Sequence, residues 1–354
     1  MIPIAYNVRN LTVRKTTTAA AALGLGLVVF VFASVMMLSN GIKAATQRAA
    51  DPNVAIVLRK GASAEMESGI DEQNIGLIAA TPGVSHQDNG RPAAVGELIV
   101  VILLDKAGGG FSNVTMRGVP DNVLAFRPTV KIVDGRAAQP GTDEAIVGKA
   151  IRGRFKGLEI GETFEMRKNR PMKIVGVFED NGSSFESEIW GDTNVIRSTF
   201  GRQGIVSSVR VRLDSPAQFD GFKATLEANR QLNVTTMRDS EFYEKSSHGT
   251  ALFLSAMGTI IAVFFSIGAI IGAMITMHAT VAQRQREIGT LRALGFSRSQ
   301  ILVSFLLESV VLALLGGAVG AAASLLMSLK RITMMNFSTW SELSFRFEPT
   351  PRIL

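Results

Sequence analysis

Three segments of the chain stay apolar over the length that a membrane crossing needs. The first runs from Ala19 to Leu38 without a charged residue, and the second runs from Ala251 to Met277. The third runs from Ile301 to Leu329, where Glu308 is the only charge. About 20 apolar residues suffice to cross the hydrocarbon core of a bilayer. We therefore predict three spans, over residues 16–39, 251–278 and 301–329.

The first segment has two interpretations, a retained membrane anchor or a cleaved secretory signal. Arg14 and Lys15 precede it, as the basic start of a signal would. Its apolar length exceeds the roughly 7 to 15 residues usual for a signal, and two further apolar segments follow. We therefore expect the segment to be retained as an anchor.

The distribution of charge indicates how such spans would be oriented. Between Lys43 and Lys245, 26 basic and 26 acidic residues cancel, so the net charge of +7 comes from the rest of the chain. Most of that excess lies in the amino-terminal tail and in the 279–300 loop. Because cytoplasmic loops carry the excess of Lys and Arg, we place both in the cytoplasm and the neutral block outside. The basic balance is thus a topology signal, and no nucleic-acid partner is expected.

The large block over residues 40–250 is predicted to be a mixed α and β domain. The predicted fold is therefore an α-helical membrane protein with an α+β extracytoplasmic domain inserted between spans 1 and 2. Strands are predicted from β-branched and apolar runs, and helices from their start and stop signals. The strand candidates are Val54–Leu58, Glu97–Leu104, Val114–Arg117, Met172–Phe178 and Ser208–Leu213, and the helix candidates are Gln73–Ala80, Gly148–Phe155 and Ala217–Asn229.

The two ends of this block favour helical stalks that continue the membrane spans outward. The helical pattern persists beyond Leu38 until Asp51-Pro52, and Phe242 and Tyr243 stand among alternating charges before Ala251. Short flexible linkers are the alternative interpretation.

No catalytic constellation stands out in the sequence. The chain has no cysteine, and its three histidines are scattered, so no metal site and no catalytic residue is predicted. Gly108 to Gly110 suit a hairpin tip and lack the strand–glycine–helix context of a phosphate cradle. The motif G-x-x-x-x-G-K-[ST] does not occur in these 354 residues. We therefore expect a non-enzymatic chain that binds no cofactor of its own.

The loop QRQREIGTLRALGFSRSQ, residues 283–300, is predicted to hold a short amphipathic helix. Ile288, Leu291 and Leu294 fall on one stripe of a helical wheel. Gly295 is placed to end the helix, and Ser297 with Gln300 forms a capping box for the next one. A stiff corner between this helix and the third span is able to transmit displacement.

This loop resembles the coupling segment of the FtsX/MacB-type permeases of ABC transporters, which has the form R-x-x-E-I-G-x-x-R-A-L-G-x-S followed by an acidic residue in the next span. The matching positions are Arg284, Glu287, Ile288, Gly289, Arg292, Ala293, Leu294, Gly295, Ser297 and Glu308. The stretches VGK at 147–149, GLEIGE at 157–162 and KIVGVFED at 173–180 look like the outer half of the MacB-type periplasmic domain. The first 15 residues resemble the family's interfacial helix.

The resemblance implies a permease that transmits the movement of a separate dimeric cytoplasmic ATPase, which binds the ATP, to the outer domain. The ATPase interface would comprise Arg284, Arg286, Glu287, Ile288, Gly289, Leu291, Arg292, Leu294 and Gly295. A basic loop lying on anionic lipid headgroups is the alternative. For Glu308 two roles stay open: a buried charge or hydrogen-bonding partner at a helix interface, and a protonated carboxyl satisfied by Ser304 or by a neighbouring helix.

The small-residue runs Ala19–Gly26 and Gly268–Ala273 suit close helix contacts in a dimer with a second copy or a paralogue, and packing against lipid is the alternative.

A MacB-like or LolCE-like transporter of the bacterial inner membrane, working in efflux or in lipid or lipoprotein handling, is the preferred function. For efflux, a periplasmic adaptor and an outer-membrane channel would be further partners.

Two other functions remain as alternatives. An FtsX-like scaffold would activate a periplasmic cell-wall hydrolase without transport. A signalling receptor explains neither the third span nor the coupling helix.

Residues 330–354 are expected to form a periplasmic loop. The family has four spans, and Pro349-Thr350-Pro351 resembles an entry into a further helix. We therefore expect a fourth span beyond Leu354.

Overall fold

The computed structural model describes residues 15–87, 90–336, 339–351 and 353, so the predicted interfacial helix lies almost wholly outside them. The chain divides into two compact units. The helical unit contains the chain up to Asn40, Leu252–Lys330 and the residues from Arg346 onward. The sheet domain contains Gly41–Ala251 and Arg331–Phe345.

Eight α-helices are assigned within the described residues. Their bounds are α1 Lys15–Gln47, α2 Gln73–Ala79, α3 Val123–Phe126, α4 Thr193–Phe200, α5 Phe219–Ala228, α6 Asp239–Gln283, α7 Gln285–Ala293 and α8 Arg298–Met327. Helices α1, α6 and α8 are long and apolar enough to cross a membrane. Because α1 continues to Gln47 and α6 begins at Asp239, the predicted helical extensions are confirmed and the flexible linkers are wrong.

Glycines allow α1 to approach α8 closely. A Cβ at Gly316 would lie 2.6 Å from the carbonyl oxygen of Ala22, and a Cβ at Gly320 would overlap the carbonyl of Gly26. The run Ala19–Gly26 therefore serves a contact inside this chain. Within the described part of the chain, by contrast, nothing lies within 4 Å of a Cβ built at Gly268 or Gly272.

The sheet domain is built on one sheet of ten strands. Its order is β12-β1-β11-β3-β4-β9-β6-β8-β5, with β7 paired to β8. The pairs β4·β9 and β6·β8 are parallel, and the other strand pairs of this sheet are antiparallel. The strand bounds are β1 Val54–Arg59, β2 Ile70–Asp71, β3 Ala94–Asp105, β4 Phe111–Val119, β5 Lys131–Gly135, β6 Glu144–Gly148, β7 Thr163–Arg167, β8 Arg170–Glu179, β9 Glu188–Asp192, β10 Ile205–Val206, β11 Ser208–Arg212, β12 Val234–Arg238, β13 Arg331–Asn336 and β14 Ser341–Arg346.

All five predicted strands coincide with observed strands, whereas the helix predicted over Gly148–Phe155 is wrong. Gly148 ends β6, and the residues after it form turns. The backbone N–H groups of Lys149 and Ala150 donate to the carbonyls of Phe178 and Glu186 instead of to a helical ladder. Buried Ile151 and Phe155 pack into the core of the sheet domain from these turns.

The segment after α8 forms a two-stranded sheet, β13–β14, in place of the expected loop. Polar contacts hold it on the sheet domain. Glu342 accepts a hydrogen bond from Arg154 at 2.7 Å, and the backbone N–H of Ser344 donates to the hydroxyl of Ser187 at 2.9 Å. Five consecutive buried residues in β14 explain why the segment folds onto the domain.

Candidate functional site

The short helix α7 lies between two sharply defined breaks. Helix α6 ends at Gln283, and Arg284, with φ −101° and ψ 14°, separates it from α7. At the other end, Gly295 has φ +92°, a conformation that glycine adopts at little cost. The N–H groups of Gly295 and Phe296 donate to the carbonyls of Arg292 and Leu291, which is the Schellman pattern.

The start of α8 completes this corner. The hydroxyl of Ser297 accepts from the backbone N–H of Gln300, and the side chain of Gln300 accepts from the backbone N–H of Ser297 at 3.0 Å. The capping box is therefore confirmed. Phe296 is the last residue of the C-cap motif and Ser297 is the N-cap of α8, so the two motifs follow each other directly and α7 and α8 meet at a stiff corner.

The structure separates the predicted interface residues into three groups. Arg284 is buried, with 4% of its side chain exposed, and Ile288 and Leu291 are half-buried. Leu294 is 75% exposed, because it follows the last turn of α7 and leaves the stripe shared by Ile288 and Leu291. The other predicted residues are exposed, namely Arg286, Glu287, Gly289, Arg292 and Gly295.

The buried guanidinium of Arg284 pairs with Glu308 of α8. Arg284 Nη1 donates to Glu308 Oε2 at 2.9 Å, and the glutamate side chain is 10% exposed. The guanidinium also lies 5.7 Å from the ring centroid of Phe305. Of the two roles left open for Glu308, the structure supports the charge partner. It also turns Arg284 inward, away from the surface on which the resemblance would place it.

A second cluster of charges lies inside the sheet domain. Glu97 of β3 accepts from Arg117 of β4 at 2.8 Å, from Arg127 at 2.7 Å and from Arg210 of β11 at 2.8 Å. Arg117 also forms two bonds of 2.7 Å to Glu188 of β9. All of these side chains are buried or nearly so. Paired charges are the form in which ions are tolerated in a protein interior.

This cluster extends to the first turns of α6. Arg210 Nε donates to Asp239 Oδ1 at 3.2 Å, and Arg210 Nη2 donates to the hydroxyl of Tyr243 at 3.2 Å. Asp239 is the first residue of α6. The start of this long helix is therefore bonded to the middle of the sheet.

The surrounding charges set the protonation of the cluster. Burial acts to raise the pKa of Glu97, but the charges of Arg127, Arg210 and Arg117 outweigh it and lower the pKa to about 2. Burial also raises the pKa of Asp239, and there the opposing charge of Arg210 does not compensate. The cluster thus holds Glu97 as an anion among three arginines.

Neither this cluster nor the pairing of Arg284 with Glu308 is predicted from the sequence. The signal that the sequence offers for the cluster is a charged residue inside an apolar strand, such as Glu97, Arg117 or Arg210. It indicates a buried charge but does not name its partner.

Two family models match the chain. The MacB-like periplasmic core domain matches residues 18–229, and the FtsX-like permease C-terminal model matches residues 259–350. The second match contains α7 and α8 with their corner.

Individual relatives agree with these matches. The chain is 33% identical over 228 residues to the uncharacterized ABC transporter permease YknZ of Bacillus subtilis, covering 59% of this chain and 56% of YknZ. It is 30% identical over 174 residues to the macrolide export ATP-binding/permease protein MacB of Escherichia coli, covering 45% of this chain and 26% of MacB. The chain therefore spans about half the length of one relative and about a quarter of the other.

The crystal structure of the extracellular domain of the noncanonic ABC-type transporter YknZ from Gram-positive bacteria matches with a TM-score of 0.40 and 16% identity. It covers 52% of this chain and 100% of that one. The MacB-like model alone covers more than half of the sequence. The chain therefore belongs to the MacB/FtsX family of ABC transporter permeases.

Proposed function

We propose that this chain is the permease subunit of a MacB-like or LolCE-like ABC transporter of the bacterial inner membrane. In this proposal α7 is the cytoplasmic coupling helix, and a separate dimeric ATPase subunit binds ATP and moves it. A second permease copy or a paralogue completes the complex. The movement passes through α8 and α6 to the sheet domain on the outer side, where it drives efflux or lipid or lipoprotein handling.

The exposed end of α7 is the observation that carries this proposal. Leu294 is 75% exposed there, and Arg286, Glu287 and Arg292 of the same short helix are exposed as well. An exposed leucine at the end of a helix that also exposes charged side chains suits a protein contact in which an apolar anchor enters a pocket. The corner at Gly295 and Ser297 makes the anchor stiff, so that a push on it reaches α8.

The first prediction tests this surface with Leu294→Ala and Arg292→Glu. The native complex is purified through a tag on this chain, and mass spectrometry identifies the ABC ATPase that accompanies it. We expect either variant to lose most of that ATPase and to reduce permease-dependent ATP hydrolysis about tenfold or more, as loss of an interface anchor does. The matched control is Leu103→Ala, the same substitution at an exposed leucine of the sheet domain, and it should behave as wild type.

If both α7 variants retain the ATPase and its coupled hydrolysis, α7 lies on lipid headgroups and the proposal fails. Recovery of a cell-wall hydrolase, with no transported substrate, would assign the chain instead to the FtsX-like scaffold function.

A further inference from the structure

We infer that Arg284 and Glu308 are positioning residues whose ion pair holds α7 at a set angle to α8. Only the role of that angle in coupling to the ATPase rests on the proposed function. The pair itself lies within the helical unit and away from the exposed end of α7 that carries Leu294.

The attachment of α7 at two points follows from the geometry. One end of α7 joins α8 through the corner at Gly295, and the other end begins beside Arg284. At 1.5 Å per residue the nine residues of α7 span about 14 Å, and Arg298 to Glu308 spans about 15 Å of α8. The ion pair joins the start of α7 to α8, so α7 cannot rotate about the corner at Gly295 while the pair is intact.

Burial makes the pair hard to replace with water or with another side chain. Arg284 and Glu308 are 4% and 10% exposed, and removing one member leaves the other as an uncompensated buried charge. Glu287 is the other carboxylate near Arg284, at 3.8 Å from Nε, and its own side chain is 54% exposed. It is therefore a weaker partner, which makes it a suitable control.

The sequence offers a clean background for measuring the angle, because it contains no cysteine. Spin labels are introduced at Gln285→Cys, at the end of α7 next to Arg284, and at Val310→Cys, at an exposed position of α8. Double electron–electron resonance then reports the distance between the two helices in the detergent-solubilised full chain. Size-exclusion chromatography first confirms that each variant is folded.

Four variants are compared with the wild type. Glu308→Gln keeps the size and removes one charge, Arg284→Gln with Glu308→Gln removes both, and Arg284→Glu with Glu308→Arg exchanges them. Glu287→Gln is the control. We expect Glu308→Gln to broaden or shift the distance distribution and to reduce ATPase coupling about fivefold or more. The exchanged pair should recover the narrow distribution and at least part of the coupling.

The control Glu287→Gln should leave the distances unchanged, because it removes only the weaker contact with Arg284. If Glu308→Gln and the doubly neutral variant keep the wild-type distance distribution, the inference is overturned. The distances respond whether or not an ATPase binds α7. A change in distance, together with coupling that is insensitive to Leu294→Ala, would therefore support the positioning role and contradict only the proposed function.

Discussion

At the scale of single residues, the sheet domain concentrates its charges where hydrophobic side chains would normally lie. Glu97 accepts hydrogen bonds from three arginines, and Arg210 reaches both Glu97 and Asp239. Isolated buried charges are costly, and paired ones are tolerated only when nearly all of their bonding groups are satisfied. The cluster therefore favours one arrangement of β3, β4 and β11 over alternative packings.

Glu97→Gln is predicted to destabilise the sheet domain. It removes one anion from a cluster of three arginines, and breaking a buried pair in this way costs about 3 to 5 kcal/mol. For a domain of this size the loss lowers the Tm by roughly 6 to 20 °C. The measurement is thermal unfolding by fluorescence in a Trp340→Phe background, where the buried Trp190 is the only remaining tryptophan.

Glu179→Gln is the matched control, because it breaks the exposed ion pair with Lys149. Exposed ion pairs contribute little to stability, so its Tm should equal that of the background. Equal Tm values for Glu97→Gln and Glu179→Gln would show that the cluster does not stabilise the fold.

At the scale of elements, helix ends and glycine contacts define the helical unit. The corner between α7 and α8 uses a C-cap motif followed directly by a capping box, and both are local motifs. Helices α1 and α8 are far apart in the sequence and meet at small residues. Their backbones are so close that an added Cβ on α8 would overlap a carbonyl group of α1.

The next prediction compares Gly320→Leu with Gly317→Leu. Both changes should raise helix propensity by about 1 kcal/mol. A side chain at Gly320 meets the carbonyl of Gly26, whereas nothing described lies within 4 Å of a Cβ at Gly317. Only Gly320→Leu should therefore lower the temperature at which the solubilised chain aggregates on size-exclusion chromatography after heating. Similar temperatures for the two variants would argue that α1 and α8 do not pack in this way.

At the scale of the whole molecule, the chain combines a formally neutral domain with basic segments beside its apolar helices. The positive-inside rule applied to this asymmetry places α7 in the cytoplasm and the sheet domain outside. That orientation remains a prediction, and the proposed function depends on it.

Single cysteines test the orientation directly in the cysteine-free chain. Gln203→Cys, exposed in the sheet domain, should react with a membrane-impermeant maleimide in intact spheroplasts. Thr290→Cys, exposed on α7, should react only after the membrane is permeabilised, because the positive-inside rule puts it in the cytoplasm. Labelling of Thr290→Cys in intact spheroplasts would contradict the orientation.

Local patterns were enough to predict the long helices, five strands, the helix at α7 and its corner. Apolar length, a glycine after the last turn and a Ser–Gln capping pair are each contained within a few neighbouring residues, so their structural effect is decided locally. Local signals failed at Gly148–Phe155, where the residues after β6 form turns that pack against the sheet.

Tertiary structure alone decided which charges meet. Arg284 and Glu308 are 24 residues apart, and Arg210 and Glu97 are 113 residues apart. Both members of the first pair are predicted site residues, but the sequence predicts Arg284 as a surface contact, whereas the fold buries it against Glu308. The strands β13 and β14 are also not predicted from the sequence, because β14 is buried against residues that are distant along the chain. Coulomb attraction and burial depend on distance in space, and only the folded chain sets that distance.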